Sequence, residues 1–285
     1  MQGRVNDCNE YEEMIAEHYQ HGNLLTAIFE VLKAQGKNIT QLCLADLAPI
    51  DEFHIGGPKA SEHFFSQLNF NRHSHVLDIG CGLGGAARFL AHHYQSKVTG
   101  VDLTAEYVNT GNELSKLLNL TKRVNLQQAS AVALPFTSES FNGAYMMHVG
   151  MNIENKETFF KAISSVLTQQ AYFGIYDVMQ QTTVAPTYPL PWADNEKYSY
   201  ITTLAEYKSA LLTAGFEIVK INNRQQFALD FFAQVREQNK NEHTQPRLGL
   251  PMLMKSSSHK KLHNLRNNIK ENIIAPFEII ARKCS

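Results

Sequence analysis

The chain has 285 residues, 44% of them hydrophobic, enough for one large domain or for a core with a cap, and too apolar for a disordered chain. A formal net charge of -1 leaves no global field to hold nucleic acid or an anionic membrane. Cys8, Cys43, Cys81 and Cys284 are scattered, with no C-x-x-C pair and no clustered histidines, so neither a disulfide framework nor a metal site is expected.

Met1 to Glu13 is polar and acidic where a signal peptide is basic and then apolar, and no run of eighteen apolar residues occurs. A reduced, soluble, cytoplasmic protein is expected. Residues 1–70 read as helices placed ahead of a sheet. Tyr11, Met14, Ile15 and His18 make one apolar face, and Leu24, Leu25, Ile28, Phe29 and Leu32 a second. Gly56, Gly57 and Pro58 mark a turn with proline near the start of the next helix, which carries Phe64, Phe65 and Leu68.

The first strand is the short apolar run His75 to Ile79. It enters a glycine-rich turn, and a helix follows from Gly84 to Tyr94 with Ala86, Phe89, Leu90 and His93 on one face. Gly80, Gly82 and Gly85 fit the G-x-G-x-x-G dinucleotide pattern. A dinucleotide rests its pyrophosphate on the helix N-terminus. Asp78 at the strand's end repels phosphate and suits a ligand with an ammonium and a sulfonium group, as in S-adenosylmethionine. The second strand, Lys97 to Val101, ends in Asp102, roughly the twenty residues on at which an acid meets ribose hydroxyls. Both ligands have a ribose, so Asp102 does not separate them.

Thr104 is placed to cap a helix with Tyr107, Leu114, Leu117 and Leu118 on its face. The third strand is Val124 to Gln128 and the fourth Phe141 to His148. Ligands lie beyond the carboxyl ends of parallel strands, so His148 and the loop Val149 to Ile153 are expected to face the transferred group. The fifth strand, Ala171 to Tyr176, ends in Asp177, whose natural partner is a substrate ammonium. Residues 184–200 set Pro186, Pro189 and Pro191 among Tyr188, Trp192, Tyr198 and Tyr200, which excludes a regular helix and suggests a cation–π wall. Thr203 and Glu206 make a capping box for a helix to Ala214, and Phe216 to Ile221 is the sixth strand. An insertion of about residues 224–275 carries Phe227, Phe231, Phe232 and Val235 on one helix face and Leu262, Leu265, Ile269 and Ile273 on another, as a helical cap or a dimer contact. Its Lys255, Lys260, Lys261, Arg266 and Lys270 read as a solvated face, because no aromatic residues interleave with them as in RNA binders. Phe277 to Ala281 is expected to return antiparallel as the seventh strand.

The acid-x-Gly-x-Gly turn after the first strand and the acid closing the second resemble the class I S-adenosylmethionine-dependent methyltransferases. The likeness continues through Ala133-Leu134-Pro135-Phe136, Tyr145-Met146-Met147-His148 and Ala214-Gly215-Phe216. Phe53-His54-Ile55-Gly56-Gly57, His148-Val149-Gly150-Met151-Asn152-Ile153 and Tyr188-Pro189-Leu190-Pro191-Trp192 resemble the sarcosine/dimethylglycine N-methyltransferase-like branch. The resemblance implies a Rossmann-like α/β fold: a seven-stranded, mostly parallel sheet with an antiparallel last strand, N-terminal helices and a helical insertion before that strand. The implied units are an N-terminal cap (1–70), a core (71–223), the insertion (224–275) and a last strand (276–285). Asp78, Gly80, Cys81, Gly82, Asp102, Leu103, Ser130, Ala131 and His148 are the implied cofactor contacts. Ser130 stands where the family often has an acid that meets the adenine amino group, and a hydroxyl can still accept that bond. Tyr19, His54, Asn152, Asp177, Tyr188, Trp192 and Tyr200 are the substrate candidates, and His148 is also the catalytic one.

The expected activity is methyl transfer from S-adenosylmethionine to a small-molecule acceptor, foremost an amine nitrogen, in a monomer or homodimer without nucleic-acid or membrane partners. A tertiary amine has no proton to lose, whereas a secondary amine needs His148 or a tyrosine as proton acceptor. The alternatives are an O- or C-methyltransferase of a quinol or phenol, a non-catalytic cofactor-binding protein, and an NAD-dependent dehydrogenase.

Overall fold

The structure, a computed structural model, describes residues 22–52, 54–240, 248–249, 252–253 and 258–284, with Glu12, Ala16 and Tyr19 ahead of them. The expected helix face of Tyr11, Met14, Ile15 and His18 lies outside the described residues, as do Cys8, Phe53 and Lys255.

Seven strands form one sheet. They are β1 (His75–Ile79), β2 (Lys97–Asp102), β3 (Val124–Gln128), β4 (Phe141–Met147), β5 (Leu167–Gln180), β6 (Phe216–Asn223) and β7 (Ile274–Lys283), in the order β3-β2-β1-β4-β5-β7-β6. The first five pair in parallel, while β7 runs antiparallel to both of its neighbours, between β5 and β6. This is the Rossmann-like arrangement with an antiparallel last strand.

Side chains alternate across the strands, so both faces need cover. Leu77, Ile79, Ala144 and Met146 face one side, where α6 (Lys156–Val166) and α7 (Leu204–Thr213) bury Phe159, Phe160, Ile163, Tyr207 and Leu211. Val76, Tyr145 and Tyr176 face the other, against Phe64, Phe65, Ala87 and Leu90 of α3 (Gly57–Phe65) and α4 (Gly85–His93). Each such leucine, isoleucine or phenylalanine contributes about 1.5–3 kcal/mol relative to exposure.

Two smaller clusters flank this core. Leu24, Ile28 and Leu32 of α1 (Leu24–Ala34) and Leu47 and Ile50 of α2 (Leu44–Asp51) pack with Tyr107 and Leu114 of α5 (Ala105–Leu117). The insertion forms α8 (Gln225–Lys240) and α9 (Ser258–Lys270); Ala228, Leu265 and Ile269 pack there with Ile55, Met151 and Trp192. Among the described residues no helix is long and apolar enough to cross a membrane.

Several boundaries differ from those expected. β5 has 14 residues and continues beyond Asp177; at its start, Thr168-Gln169-Gln170 breaks the pairing with β4, where the register shifts and Gln170 has φ +61°, and β7 begins at Ile274. The buried face of α4 is Ala87, Leu90 and Ala91 together with Arg88, while His93 is exposed. Arg88 is fully buried because its guanidinium donates to Asp51 Oδ1 (2.7 Å), Leu83 O (2.7 Å), Gly111 O (2.9 Å) and Ser115 Oγ (3.0 Å). One cation thereby fastens α2, α4 and α5 together. Gly85 completes this joint: a Cβ there would stand 2.3 Å from the Asp51 carbonyl oxygen, so the third glycine of the apparent dinucleotide pattern serves helix packing. Asn142, in place of the usual aspartate, accepts the His75 amide at 2.9 Å. The Thr203–Glu206 capping box is formed, whereas Thr104 holds the N-cap position of α5 without a side-chain capping bond.

Candidate active site

The glycine turn lies at the carboxyl ends of the central strands. Gly80 has φ +67°, and a Cβ there would meet Val149 Cγ2 at 2.5 Å, so only glycine lets this turn lie against the β4 loop. Asp102 organises the next layer. One carboxylate oxygen accepts the Gly82 amide and the other the Thr104 amide, both at 2.9 Å. Each oxygen keeps a second lone pair for a ligand hydroxyl. Burial raises the Asp102 pKa, against the lowering effect of bonds from Thr104, Gly82 and Leu103.

Asp78 lies beneath this turn, 3% exposed, with Oδ2 lacking a hydrogen-bond partner. Burial pushes its pKa up to about 7; the nearby Tyr145 hydroxyl opposes that rise and the Asp102 charge adds to it. Two carboxylates side by side, one with an unanswered oxygen, form a setting that a cationic ligand stabilises and a phosphate does not. The residues therefore fit S-adenosylmethionine.

A cavity of about 2840 Å³ opens above the turn. Of the expected cofactor residues, Gly80, Gly82, Asp102, Leu103, Ala131 and His148 line it. Asp78, Cys81 and Ser130 are not among its lining residues. Ser130 Oγ donates to Glu12 Oε1 at 2.5 Å and accepts the Val132 amide at 3.2 Å. Glu12 itself lines the cavity, so the carboxylate absent from the end of β3 is brought there by the N-terminal segment. Only the adjacency of a distant segment shows this, and periodicity carries no sign of it.

Of the substrate candidates, Tyr19, His54, Asn152, Trp192 and Tyr200 line the cavity. Tyr19 and Asn152 are joined by a hydrogen bond, with burial raising the tyrosine pKa, so the N-terminal segment meets the loop after β4. Trp192 is nearly buried and donates Nε1–H to Ser199 Oγ at 2.9 Å. Tyr200 is pinned through its backbone: its amide donates to Met151 O, and its carbonyl accepts from Lys156 Nζ, both at 2.8 Å. Lys156, which the sequence did not single out, also binds Ile153 O, and burial lowers its pKa to about 8.

Two further substrate candidates stand apart from the cavity lining. Tyr188 does not line the cavity; its segment is tied to α9 through Asn264, which donates to Pro189 O at 3.1 Å, and Asn268, which bridges Thr187 at 2.9 and 3.0 Å. Asp177 is fully buried inside β5. Its Oδ2 accepts from the Gly150 amide and the Tyr207 hydroxyl, each at 2.7 Å, and Oδ1 accepts the Val178 amide at 2.9 Å. Burial pushes it up to about 6. Its full burial keeps Asp177 out of the cavity lining, and its bond to the Gly150 amide holds the short 3-10 turn Gly150–Asn152.

His148 holds φ +58° and lines the cavity, but its ring is engaged. Nε2 accepts the Ile55 amide at 3.1 Å, which places the proton on Nδ1, 3.2 Å from Tyr176 O. Burial drives its pKa down to about 3, with the His54 charge acting in the same direction. The ring is neutral, and its lone pair is free for a substrate proton only when the Ile55 loop lifts. That loop is pinned by His54, whose Nε2 lies 3.0 Å from Glu52 Oε2 and 3.1 Å from Ser61 Oγ. Among the described residues no cluster of three or more His, Cys, Asp or Glu is disposed to hold a metal ion.

Residues 76–170 match the family model of the methyltransferase domain. That segment is similar to methyltransferase domains. Among curated relatives, the cycloartenol-C-24-methyltransferase of Arabidopsis thaliana is 32% identical over 120 residues, covering 42% of this chain and 36% of that one. The chain spans from 36% to 65% of the length of the first curated relatives it matches. Among solved structures, a protein described as a sarcosine dimethylglycine methyltransferase from Galdieria sulphuraria superposes with TM-score 0.65 at 14% identity, covering 91% of this chain and 98% of that one. A geranyl diphosphate C-methyltransferase from Streptomyces coelicolor A3(2), solved with S-adenosyl-L-homocysteine, gives TM-score 0.70 at 15% identity and covers 96% and 98%. The two structures share their fold with this chain over 91% and 96% of its length.

Proposed function

We propose that this chain transfers a methyl group from S-adenosylmethionine to a small-molecule acceptor held between the strand ends and the insertion. The observation that carries the reading is the single cavity: the glycine turn and Asp102 line one part, and α8, α9, Trp192 and Tyr200 line another. Ligand sites of drug size occupy roughly 300–1,000 Å³. A volume of about 2840 Å³ therefore accommodates a cofactor and a second molecule.

When bound, S-adenosylmethionine supplies an activated methyl group on a sulfonium leaving group. Gly80 and Gly82 give it backbone without side chains, Asp102 accepts from the ribose, and Leu103 and Ala131 flank the base, with Glu12 beside Ser130 as acceptor for an amino group. Tyr19, Asn152, His148 and Tyr200 border the acceptor and exclude water from it. Alignment of this kind supplies on the order of 7–11 kcal/mol of the barrier. We take residues 224–275 as a cap, because both of their helices face the cavity.

An amine nitrogen remains the first acceptor to test. Support comes from the sarcosine/dimethylglycine-like words of the sequence and from the Galdieria structure. Carbon acceptors form the second class, favoured by the apolar Phe231, Phe232 and Leu262 of the wall and by the sterol-acting relative. Thermal unfolding with S-adenosylmethionine, S-adenosylhomocysteine and NAD tests the cofactor: the first two are expected to raise the midpoint. A shift with NAD alone sinks the reading. Radiolabelled methyl transfer to amine, phenol and isoprenoid panels then separates the acceptors, and cofactor binding without turnover on any panel leaves a non-catalytic binder.

A further inference from the structure

The cavity carries opposite charges in its two parts. Around the turn and the strand ends its side chains include the acids Glu12, Glu52, Asp102, Glu154 and Glu157, with the cation Lys156 held by the Ile153 and Tyr200 carbonyls, whereas the insertion contributes Arg236, Lys261 and Arg266. The acidic part suits a sulfonium cofactor, which leaves the basic part to be explained.

Arg266 is the telling residue. In α9 it shares a face with Leu262, four residues earlier, and Leu262, Leu265 and Arg266 all line the cavity. It is half-buried, and among the described residues it makes no hydrogen bond and no ion pair. One turn earlier, Lys261 is 3% exposed, with Nζ 2.9 Å from an Asp194 carboxylate that is itself 61% exposed. A guanidinium partly withdrawn from water without a counter-charge is costly, and the insertion's Phe231, Phe232 and Leu265, which line the same cavity, offer no side-chain acceptor. Arginine presents a planar fork suited to a carboxylate or a phosphate.

We infer that the acceptor carries an anionic group, a carboxylate or a phosphate, on an apolar body, and that Arg266 with Lys261 binds that group while α8 and α9 cover the body. This rests on the methyl-transfer reading for the word acceptor, but the anion site is measurable without it. The anionic group fixes which end of the acceptor points back toward Asn152 and His148.

The test is titration calorimetry of the full chain with octanoate, octyl phosphate and octanol, each with and without S-adenosylhomocysteine. Either anion is expected to bind at least about tenfold more tightly than octanol, and the tighter of the two names the group. Arg266→Gln is expected to lose about tenfold or more for that anion, Arg266→Lys to recover part of it, and Lys260→Gln, on an exposed position of the same helix, to match the wild type. All three variants are compared at equal thermal midpoints, so a folding defect is visible. Equal binding of octanol and the anions, no binding of any probe, or unchanged anion affinity in Arg266→Gln overturns the proposal. Loss of the S-adenosylhomocysteine response with anion binding intact overturns only the methyl-transfer reading.

Discussion

Asp102 and Asp177 belong to parallel strands of one sheet, and the chain uses them in opposite ways. Asp102 closes β2, lines the cavity and holds one amide on each oxygen with lone pairs to spare. Asp177 lies three residues short of the end of β5, and its carboxylate is spent on Gly150, Tyr207 and Val178. The lesson is that an acid near a strand end opens onto the cavity where the strand stops. Where the strand continues, the side chain stays between sheet and helix and shapes the loop next door.

The sharpest way to break this contrast is Asp102→Ala. It removes charged hydrogen bonds worth about 1.5–3 kcal/mol each, so S-adenosylmethionine affinity should fall at least ten- to hundredfold by calorimetry; unchanged affinity would return Asp102 to a purely structural role. Asp177→Ala should leave the cofactor affinity within a few-fold but cost about 1–3 kcal/mol of stability, since the Gly150 amide and Tyr207 hydroxyl lose their acceptor. Denaturant unfolding beside cofactor titration checks both halves.

Asp78 sharpens the contrast through pH. Its folded pKa, about 7, exceeds the usual 3.8, so the folded state holds the proton more tightly. The stability from that proton is complete below about 3.8 and is lost as pH rises through 7. Asp78→Asn should therefore gain thermal midpoint at pH 7 relative to pH 5 while binding S-adenosylmethionine more weakly. A gain in both would remove Asp78 from the cofactor's electrostatics. His148 has the opposite sign: its folded pKa, about 3, lies below 6.5, so stability present above 6.5 is lost as pH falls toward 3. His148→Gln should flatten that acid limb and lower turnover with little change in cofactor affinity. The smallest expected difference is between two tyrosines. Tyr200→Phe, on the cavity wall, should change acceptor KM severalfold, and Tyr188→Phe, away from it, should not.

The strand–turn–helix of residues 75–93 was legible because its signals are local: an apolar run, glycines where φ is positive, and a 3.6-residue period. What escaped the sequence depends on partners far along the chain. Arg88 interrupts an apolar face and looked outward until Asp51 and Gly111 came to meet it. Lys156 looked like an ordinary surface lysine at a helix start, although two backbone carbonyls from different loops draw it inward. Glu12 answers a need at Ser130, 118 residues away. The length of β5 was hidden at its far end, where β7 pairs with it as far as Gln180; at its start Thr168-Gln169-Gln170 does break the pairing, with Gln170 at φ +61°.

The position of β7 sets the order in which a ribosome completes this molecule. Until residues 274–283 emerge, β5 has nothing along its far side, and β6 cannot reach the sheet at all. A nascent or truncated chain ending in the insertion would display a long apolar edge with open amides, the kind of surface that recruits other strands. The strand that follows the cap is thus also the seal on the sheet, so premature stops between α8 and β7 should yield aggregates rather than soluble protein with reduced activity.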